Sequence, residues 1–214
     1  MKPMEPLPLG QGSQGMRALL DALAAPTPTP GGGTAAALAG AMGAALIEMA
    51  CRLTVNRAHS ASTAAEMERT SVEAGWWRHR LAELADEDAR IYGQVITAHR
   101  LPKATEAEAG ARQEAIQAAL RQAAWVSGQA ALACAAVIEL ARQVIGQVRR
   151  SVRGDVAVGA LLAEAGLRGA HLNLEINLSA LGDPQWMREE REELAKRLAI
   201  VEDERKRIIS LILP

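Results

Sequence analysis

Between residues 34 and 55 the chain sets its smallest side chains at helical spacing. Ala36, Gly40 and Ala44 recur at every fourth position, as do Ala35, Ala39 and Gly43. A helix with so little side chain on a face packs at very short range against another helix. Its start is well marked. Pro26-Thr27-Pro28-Thr29-Pro30 is extended, because each proline disfavours helix at the residue before it. Gly31-Gly32-Gly33 follows, and Thr34 is the expected cap of a helix running to about Val55.

The same economy runs through the chain. Alanine fills 44 of 214 positions, while there are four Trp, one Tyr and no Phe. Alanine is the strongest helix former and a poor strand former, so a sheet-dominated fold is excluded. The length fits one domain with a substantial core. Net charge is −1, from 24 basic and 25 acidic residues, which offers no strong attraction to nucleic acid or an anionic membrane. The apolar run Ala35–Ile47 is shorter than the ~20 residues of a membrane span. Cys51 and Cys134 stand in apolar helical text and read as buried, reduced thiols. A soluble cytoplasmic protein is expected.

Residues 1–15 read as a flexible tail, and 16–214 as one helical domain. Met16–Ala25 forms a short helix with Leu19, Leu20 and Leu23 on one side. From about Ser62 to His99 one long helix carries Trp77, Leu81, Leu84, Asp88, Ile91 and Val95 in steps of 4, 3, 4, 3 and 4. Another, about Glu106–Arg149, turns Ile116, Leu120, Ala123, Ala130, Val137, Leu140 and Val144 inward, with Ser127-Gly128 as a candidate break. From about Asp155 to Ala180 the core stripe reads Val158, Leu162, Ala165, Gly169, Leu172 and Ile176. Asp183 and Pro184 start a last helix, with Leu194, Leu198, Val201, Ile208 and Ile212 inward and i,i+4 charge pairs such as Glu192–Lys196 outside. The expected fold is an all-α, up-and-down bundle of long helices.

Asp88 is the odd residue of its seam. A carboxylate there is desolvated, paired or protonated. Burial raises its pKa toward useful proton exchange; an ion pair with Arg80 or Arg90 is the structural alternative. Asp155 follows Gly154 and reads as an N-cap, or as a carboxylate projecting into a cavity. Asn173 and Asn177, at i,i+4, share a face and can orient a heterocycle, or simply satisfy backbone groups. The glycine run offers backbone N–H groups at a helix N-terminus but lacks the Lys-Ser/Thr of a Walker loop. His59, His79, His99 and His171 show no paired-ligand spacing, so no metal site is expected.

In combination these segments resemble the cyclodeaminase/cyclohydrolase family. Its members are the C-terminal domain of formimidoyltransferase-cyclodeaminase and free-standing methenyltetrahydrofolate cyclohydrolases. The resemblance rests on Leu20–Leu23, on Pro28-Thr29-Pro30-Gly31-Gly32-Gly33-Thr34 through Leu46, and on Asp88 through Leu101-Pro102-Lys103-Ala104-Thr105. It continues at Asp155-Val156-Ala157-Val158, at Gly169-Ala170 and at Asn173-Leu174-Glu175-Ile176-Asn177-Leu178, covering about residues 16–212. It implies a homodimer acting on the one-carbon unit between N5 and N10 of a tetrahydrofolate, as cyclodeaminase or cyclohydrolase. The folate is then substrate, and no resident cofactor is implied. Asp88 would be the acid/base and Asp155 a second carboxylate. Gly31, Gly32, Gly33, Thr34, Arg57, Lys103, Asn173 and Asn177 would bind substrate. The chain departs from the family at Asn56-Arg57-Ala58-His59-Ser60, where a Gly-Lys-Lys-Lys-Tyr run is usual, at Val148-Arg149, at Gly154 and at Tyr92. Such losses suit a second reading: a helical dimer that keeps the fold and binds a ligand or partner without turnover.

Overall fold

The computed structural model describes residues 9–181 together with Glu192, Lys196, Arg207 and Ile208. Its helices are α1 (Leu9–Ala24), α2 (Gly32–Val55), α3 (Ala61–His99), α4 (Glu106–Val144) and α5 (Arg153–Ala180), with a 3₁₀ turn at Arg150–Val152. The all-α expectation holds: there is no strand among the described residues. Helix α1 begins at Leu9, inside the stretch read as a tail. The last helix and its charge pairs lie outside the described residues, except that Ile208 is buried and Glu192, Lys196 and Arg207 are exposed.

Helices α2 to α5 run up and down, each packed on its neighbour in sequence, and α2 also closes the bundle against α5. Small side chains set the spacing. A Cβ at Gly159 would lie 2.9 Å from the carbonyl oxygen of Gly43, and one at Gly166 would lie 2.6 Å from that of Ala36. At these crossings backbone meets backbone. Gly40 likewise has no room for a Cβ beside Cys134 and Leu81. Ile47, Leu81, Leu84, Ile138, Leu167 and Leu174 fill the spaces between. Burial pushes the thiols of Cys51 and Cys134 up to about 12, with Glu66 adding to the effect at Cys51, so neither is a nucleophile.

The α3 and α4 seams face the core as their spacing predicts. Helix α4 starts at a capping box, with Glu108 N–H donating to Thr105 Oγ1 and Thr105 N–H donating to Glu108 Oε2. It ends at Val144 rather than Arg149, and it does not break at Ser127-Gly128. The Ser127 hydroxyl donates to Ala123 O at 3.0 Å, which satisfies it inside the helix.

Helix α5 differs from expectation. Its buried face is Val156, Gly159, Ala160, Ala163, Gly166, Leu167, Ala170, Leu174 and Leu178. The stripe expected in the core looks outward instead: Val158 is 49% exposed, Leu172 61% and Ile176 59%. Both faces of α5 are apolar, so spacing alone selects neither. The face richer in Gly and Ala won, because only it permits the short approach to α2.

One buried charge links α2 to α3. Glu48 is held by Arg52 Nη2 at 2.6 Å and by Arg78 Nε at 2.8 Å.

Candidate functional site

Helices α2, α3, α4 and α5 converge around a cavity of about 240 Å³ near the N-terminus of α2. It is lined by Pro28, Thr29, the three glycines, Asp88, Tyr92, Ala123, Asn173, Ile176 and Asn177. A larger hollow of about 700 Å³ beside Val72, Trp76 and Trp77 is open and mainly apolar. The chemistry gathers in the smaller one.

Local structure explains the arrangement. The Pro-Thr-Pro segment is tied to α3 by Thr29 Oγ1, which donates to Ala89 O at 3.2 Å, and the Thr29-Pro30 peptide is cis. Gly31 is the N-cap of α2, without a side-chain cap bond, so the helix starts two residues before Thr34. Thr34 therefore has a different job from the capping expected of it. Its hydroxyl donates to Asp88 Oδ2 at 2.9 Å, and its backbone N–H also donates to that carboxylate. A Cβ on Gly33 would lie 2.7 Å from Asp88 Cγ and 2.8 Å from Oδ2. None of the glycines has positive φ. Gly33 is required for space: its bare backbone is the wall on which the carboxylate rests.

Asp88 has no ion-pair partner among the described residues. Arg80, offered as its counter-charge, pairs with Glu87 at 2.9 Å and Glu83 at 3.2 Å instead. Burial pushes the Asp88 carboxyl above the usual carboxylate range, and the two Thr34 hydrogen bonds only partly oppose it. The result is a half-buried acid, held by two donors and facing a cavity.

Opposite it stand the two amides of α5. Asn173 Nδ2 donates to Gly169 O at 2.9 Å, which turns its amide toward Gly32, where a Cβ would lie 3.5 Å away. Asn177 Nδ2 reaches Ser127 Oγ at 3.5 Å. In both, the backbone or core takes the N–H₂ and the carbonyl oxygen remains as an acceptor. Tyr92, one turn beyond Asp88, adds an aromatic ring, 43% exposed; its i+4 spacing was the signal that could have placed it. Ile176 closes the wall between the two amides, where the outward stripe of α5 reaches the cavity.

Other candidates lie elsewhere in the chain. Asp155 is the third residue of α5, not its N-cap, which is Val152. It stands about 27 Å along the helix from Asn173. Lys103 is exposed in the α3–α4 connection and does not line the Asp88 cavity. Arg57 lines a second cavity, about 300 Å³, at the opposite end of the bundle, with His59, Arg149, Arg150 and Arg153. No carboxylate lines that cavity among the described residues. Arg149 N–H is fixed to Thr54 Oγ1 at 3.2 Å, and Arg153 Nη2 to Gly146 O at 3.0 Å. Sequence reading missed this cluster because the fold alone brings residues 149–153 to Arg57.

Comparison with known proteins gives a consistent result. The formiminotransferase-cyclodeaminase family model matches residues 15–196. A methenyltetrahydrofolate cyclohydrolase from Methylorubrum extorquens is 37% identical over 188 residues, covering 88% of this chain and 90% of that protein. The formimidoyltransferase-cyclodeaminase of Rattus norvegicus is 30% identical over 183 residues, which is 86% of this chain but 34% of that protein, so this chain spans about a third of it. The crystal structure of formiminotetrahydrofolate cyclodeaminase from Thermotoga maritima matches with a TM-score of 0.82 at 25% identity, over 92% of this chain and 94% of that one. On the family model and the long, similar relatives together, this chain belongs to the formiminotransferase-cyclodeaminase family.

Proposed function

We propose that this protein is a folate one-carbon enzyme acting at the carbon between N5 and N10 of a tetrahydrofolate, and that it works as a methenyltetrahydrofolate cyclohydrolase. The observation that carries the reading is Asp88: a desolvated carboxylate with a raised pKa, clamped by Thr34 and open to a cavity with two amide acceptors. The end-to-end similarity to a cyclohydrolase favours that reaction. The similarity to a cyclodeaminase structure supports the sister reaction, in which N10 closes on a formimino carbon and ammonia leaves.

In the hydrolytic direction the substrate carbon is part of an amidinium-like cation. The Asp88 carboxylate stabilises that charge and takes a proton from the attacking water as the C–O bond forms. The resulting tetrahedral carbon lies between two nitrogens. Asp88 returns the proton to N5 as the C–N5 bond breaks, and the hydroxyl proton leaves to solvent as the 10-formyl carbonyl forms. Its raised pKa suits both halves of this exchange. Asn173 and Asn177 accept hydrogen bonds from the N–H groups of the pterin, and Tyr92 supplies a ring against it. Lys103, exposed near the end of α3, supplies positive charge to the approaching substrate. No resident cofactor or metal enters the mechanism.

The working form is a cytoplasmic homodimer, without nucleic-acid or membrane partners. Support comes from the uncovered apolar face of α5 and from the near-neutral net charge. Following the methenyl chromophore with purified protein tests the assignment. Turnover well above background is expected, and it is lost in Asp88→Asn; no turnover with either folate substrate would refute the enzyme reading.

A further inference from the structure

Thr34 stands behind Asp88, outside the cavity. It is 5% exposed and takes no part in the lining, although the substrate-binding set expected from the sequence included it. Its hydroxyl faces two acceptors instead: Asp88 Oδ2 at 2.9 Å and, one turn earlier on α3, Ala85 O at 3.5 Å. A hydroxyl has one proton to donate, so it serves one of these at a time. The charged carboxylate is the stronger acceptor. Once Asp88 is neutral that advantage goes, and Ala85 O keeps the buried hydroxyl satisfied.

The two oxygens of Asp88 are therefore unequal. Oδ2 is held by the Thr34 hydroxyl, whereas no side chain donates to Oδ1 among the described residues. Oδ1 is also the atom nearest to where a Cβ of Gly33 would stand, nearer than Oδ2 at 2.8 Å. Gly33 lines the cavity, while Thr34 and Ala85 do not. One oxygen is thus turned to the protein and the other to the cavity. Among the described residues, Asp88 and Tyr92 are the only titratable groups in that lining. Helix α2 brings no charge before Glu48, and Arg121 of α4 and His171 and Glu175 of α5 stand outside the lining. On α3 itself Glu87 pairs with Arg80, and Arg90 also stands outside. With no charge beside it, Asp88 depends on burial and on Thr34.

We propose that Thr34 is the positioning residue of this site: its hydroxyl fixes Oδ2 and leaves Oδ1 as the atom that takes and returns the proton. The assignment rests on the folate reading above and deepens it. As water adds to the methenyl carbon, the C–O bond forms, a water O–H bond breaks and that proton goes to Oδ1. When the C–N5 bond breaks, the Oδ1–H bond breaks with it and the proton goes to N5. Between the two steps the Thr34 hydroxyl turns to Ala85 O, and it returns to Oδ2 as the charge reappears.

Two substitutions test it. Thr34→Val removes the donor at nearly constant size, and Thr34→Ser keeps it. Both are followed through the methenyl chromophore across pH, together with the carboxyl carbon NMR signal of Asp88, assigned by its loss in Asp88→Asn. In Thr34→Val the acid limb of kcat/KM and the Asp88 titration are expected to move up together by about one to two pH units, since the lost hydrogen bond favoured the charged form. At the pH optimum kcat falls about ten- to hundredfold with KM within about twofold of wild type, because the carboxylate is misplaced while the cavity lining is unchanged. Thr34→Ser is expected to bring back the limb, the titration and most of kcat. A Thr34→Val limb and titration at the wild-type pH would overturn the assignment. So would a Thr34→Ser variant as impaired as Thr34→Val, the mark of a packing role. If Thr34→Val does not fold, Thr34→Ala carries the same expectations. Wild type without turnover on either folate substrate would remove this assignment and the reading beneath it. Active wild type with an unmoved Thr34→Val profile would remove the assignment alone.

Discussion

Gly33→Ala separates the fold from the chemistry. Gly33 is the second residue of α2 and has no positive φ, so alanine is allowed in its backbone conformation. Alanine favours the helix by up to about 1 kcal/mol. The new Cβ, however, sits well inside van der Waals contact with the Asp88 carboxylate, 2.7 Å from Cγ and 2.8 Å from Oδ2. The carboxylate must swing away and give up the Thr34 hydroxyl at 2.9 Å. A hydrogen bond to a charged group is worth about 1.5–3 kcal/mol, but a displaced carboxylate regains water, so the net change in stability stays near 1 kcal/mol. Catalysis has no such compensation. Misplacing the acid/base costs about 10²–10⁴ in kcat. Gly32→Ala is the control: its Cβ meets only the Asn173 amide, with Nδ2 at 3.5 Å and Oδ1 at 4.0 Å, ordinary contacts. Thermal melts and methenyl turnover on the two variants provide the assay. If Gly33→Ala kept kcat within threefold of wild type, Asp88 held against that backbone would not be the catalytic arrangement.

Asp88→Asn should lower kcat by about 10²–10⁴ and stabilise the chain at neutral pH. The folded state holds the Asp88 proton more tightly than the unfolded one, so its contribution to stability is full below the ordinary aspartate range and is lost as pH rises through the folded pKa. A melting difference between variant and wild type that does not grow from acid to neutral pH would contradict this sign. Gly166→Ala drives a Cβ to 2.6 Å from Ala36 O and 3.0 Å from Gly40 N, both backbone, and should cost about 1–3 kcal/mol in denaturant unfolding. Gly110→Ala, with nothing within 4 Å, should instead gain about 0.5–1 kcal/mol; similar effects from the two would defeat the packing argument. Glu48→Gln removes the charge that Arg52 and Arg78 share, and should cost about 1–3 kcal/mol by the same measurement; its partners reach solvent, so a loss near 5 kcal/mol would mean that they too depend on the pair.

What the sequence made legible follows from which signals are local. The α3 seam was readable because one polar residue interrupted a strict helical rhythm, and that residue is the carboxylate of the cavity. The Asn173 and Asn177 pair was readable for the same reason, since i,i+4 fixes a shared face. Thr34 was misjudged because capping chemistry is also local: a threonine after three glycines is a good cap by type, and only the approach of α3 redirects its hydroxyl to Asp88. The stripe of α5 was misplaced because two apolar faces on one helix carry equal periodicity, and steric fit to α2 decided between them. The arginine cavity was invisible, because Arg57 and Arg149–Arg153 meet only after α3 has run the length of the bundle and α4 has returned.

The abundance of alanine and the design of the site are one fact. Helix axes come within the short end of the usual 8–10 Å only where the facing side chains are small. Here Gly43 meets Gly159, Gly166 meets Ala36, and Gly40 fits against Leu81 and Cys134. Those contacts fix where the first turn of α2 falls against α3, and therefore whether a backbone amide and a hydroxyl of Thr34 can both reach one carboxylate. Larger residues at the crossings would move the α2 terminus outward and leave Asp88 either unpaired or solvated. The raised pKa of Asp88 survives neither, since it is set by how much water reaches the carboxyl and by how many donors hold it. The cost of forming such a site is spread through the bundle as tight packing, and aromatic side chains are scarce because that packing leaves little room for them.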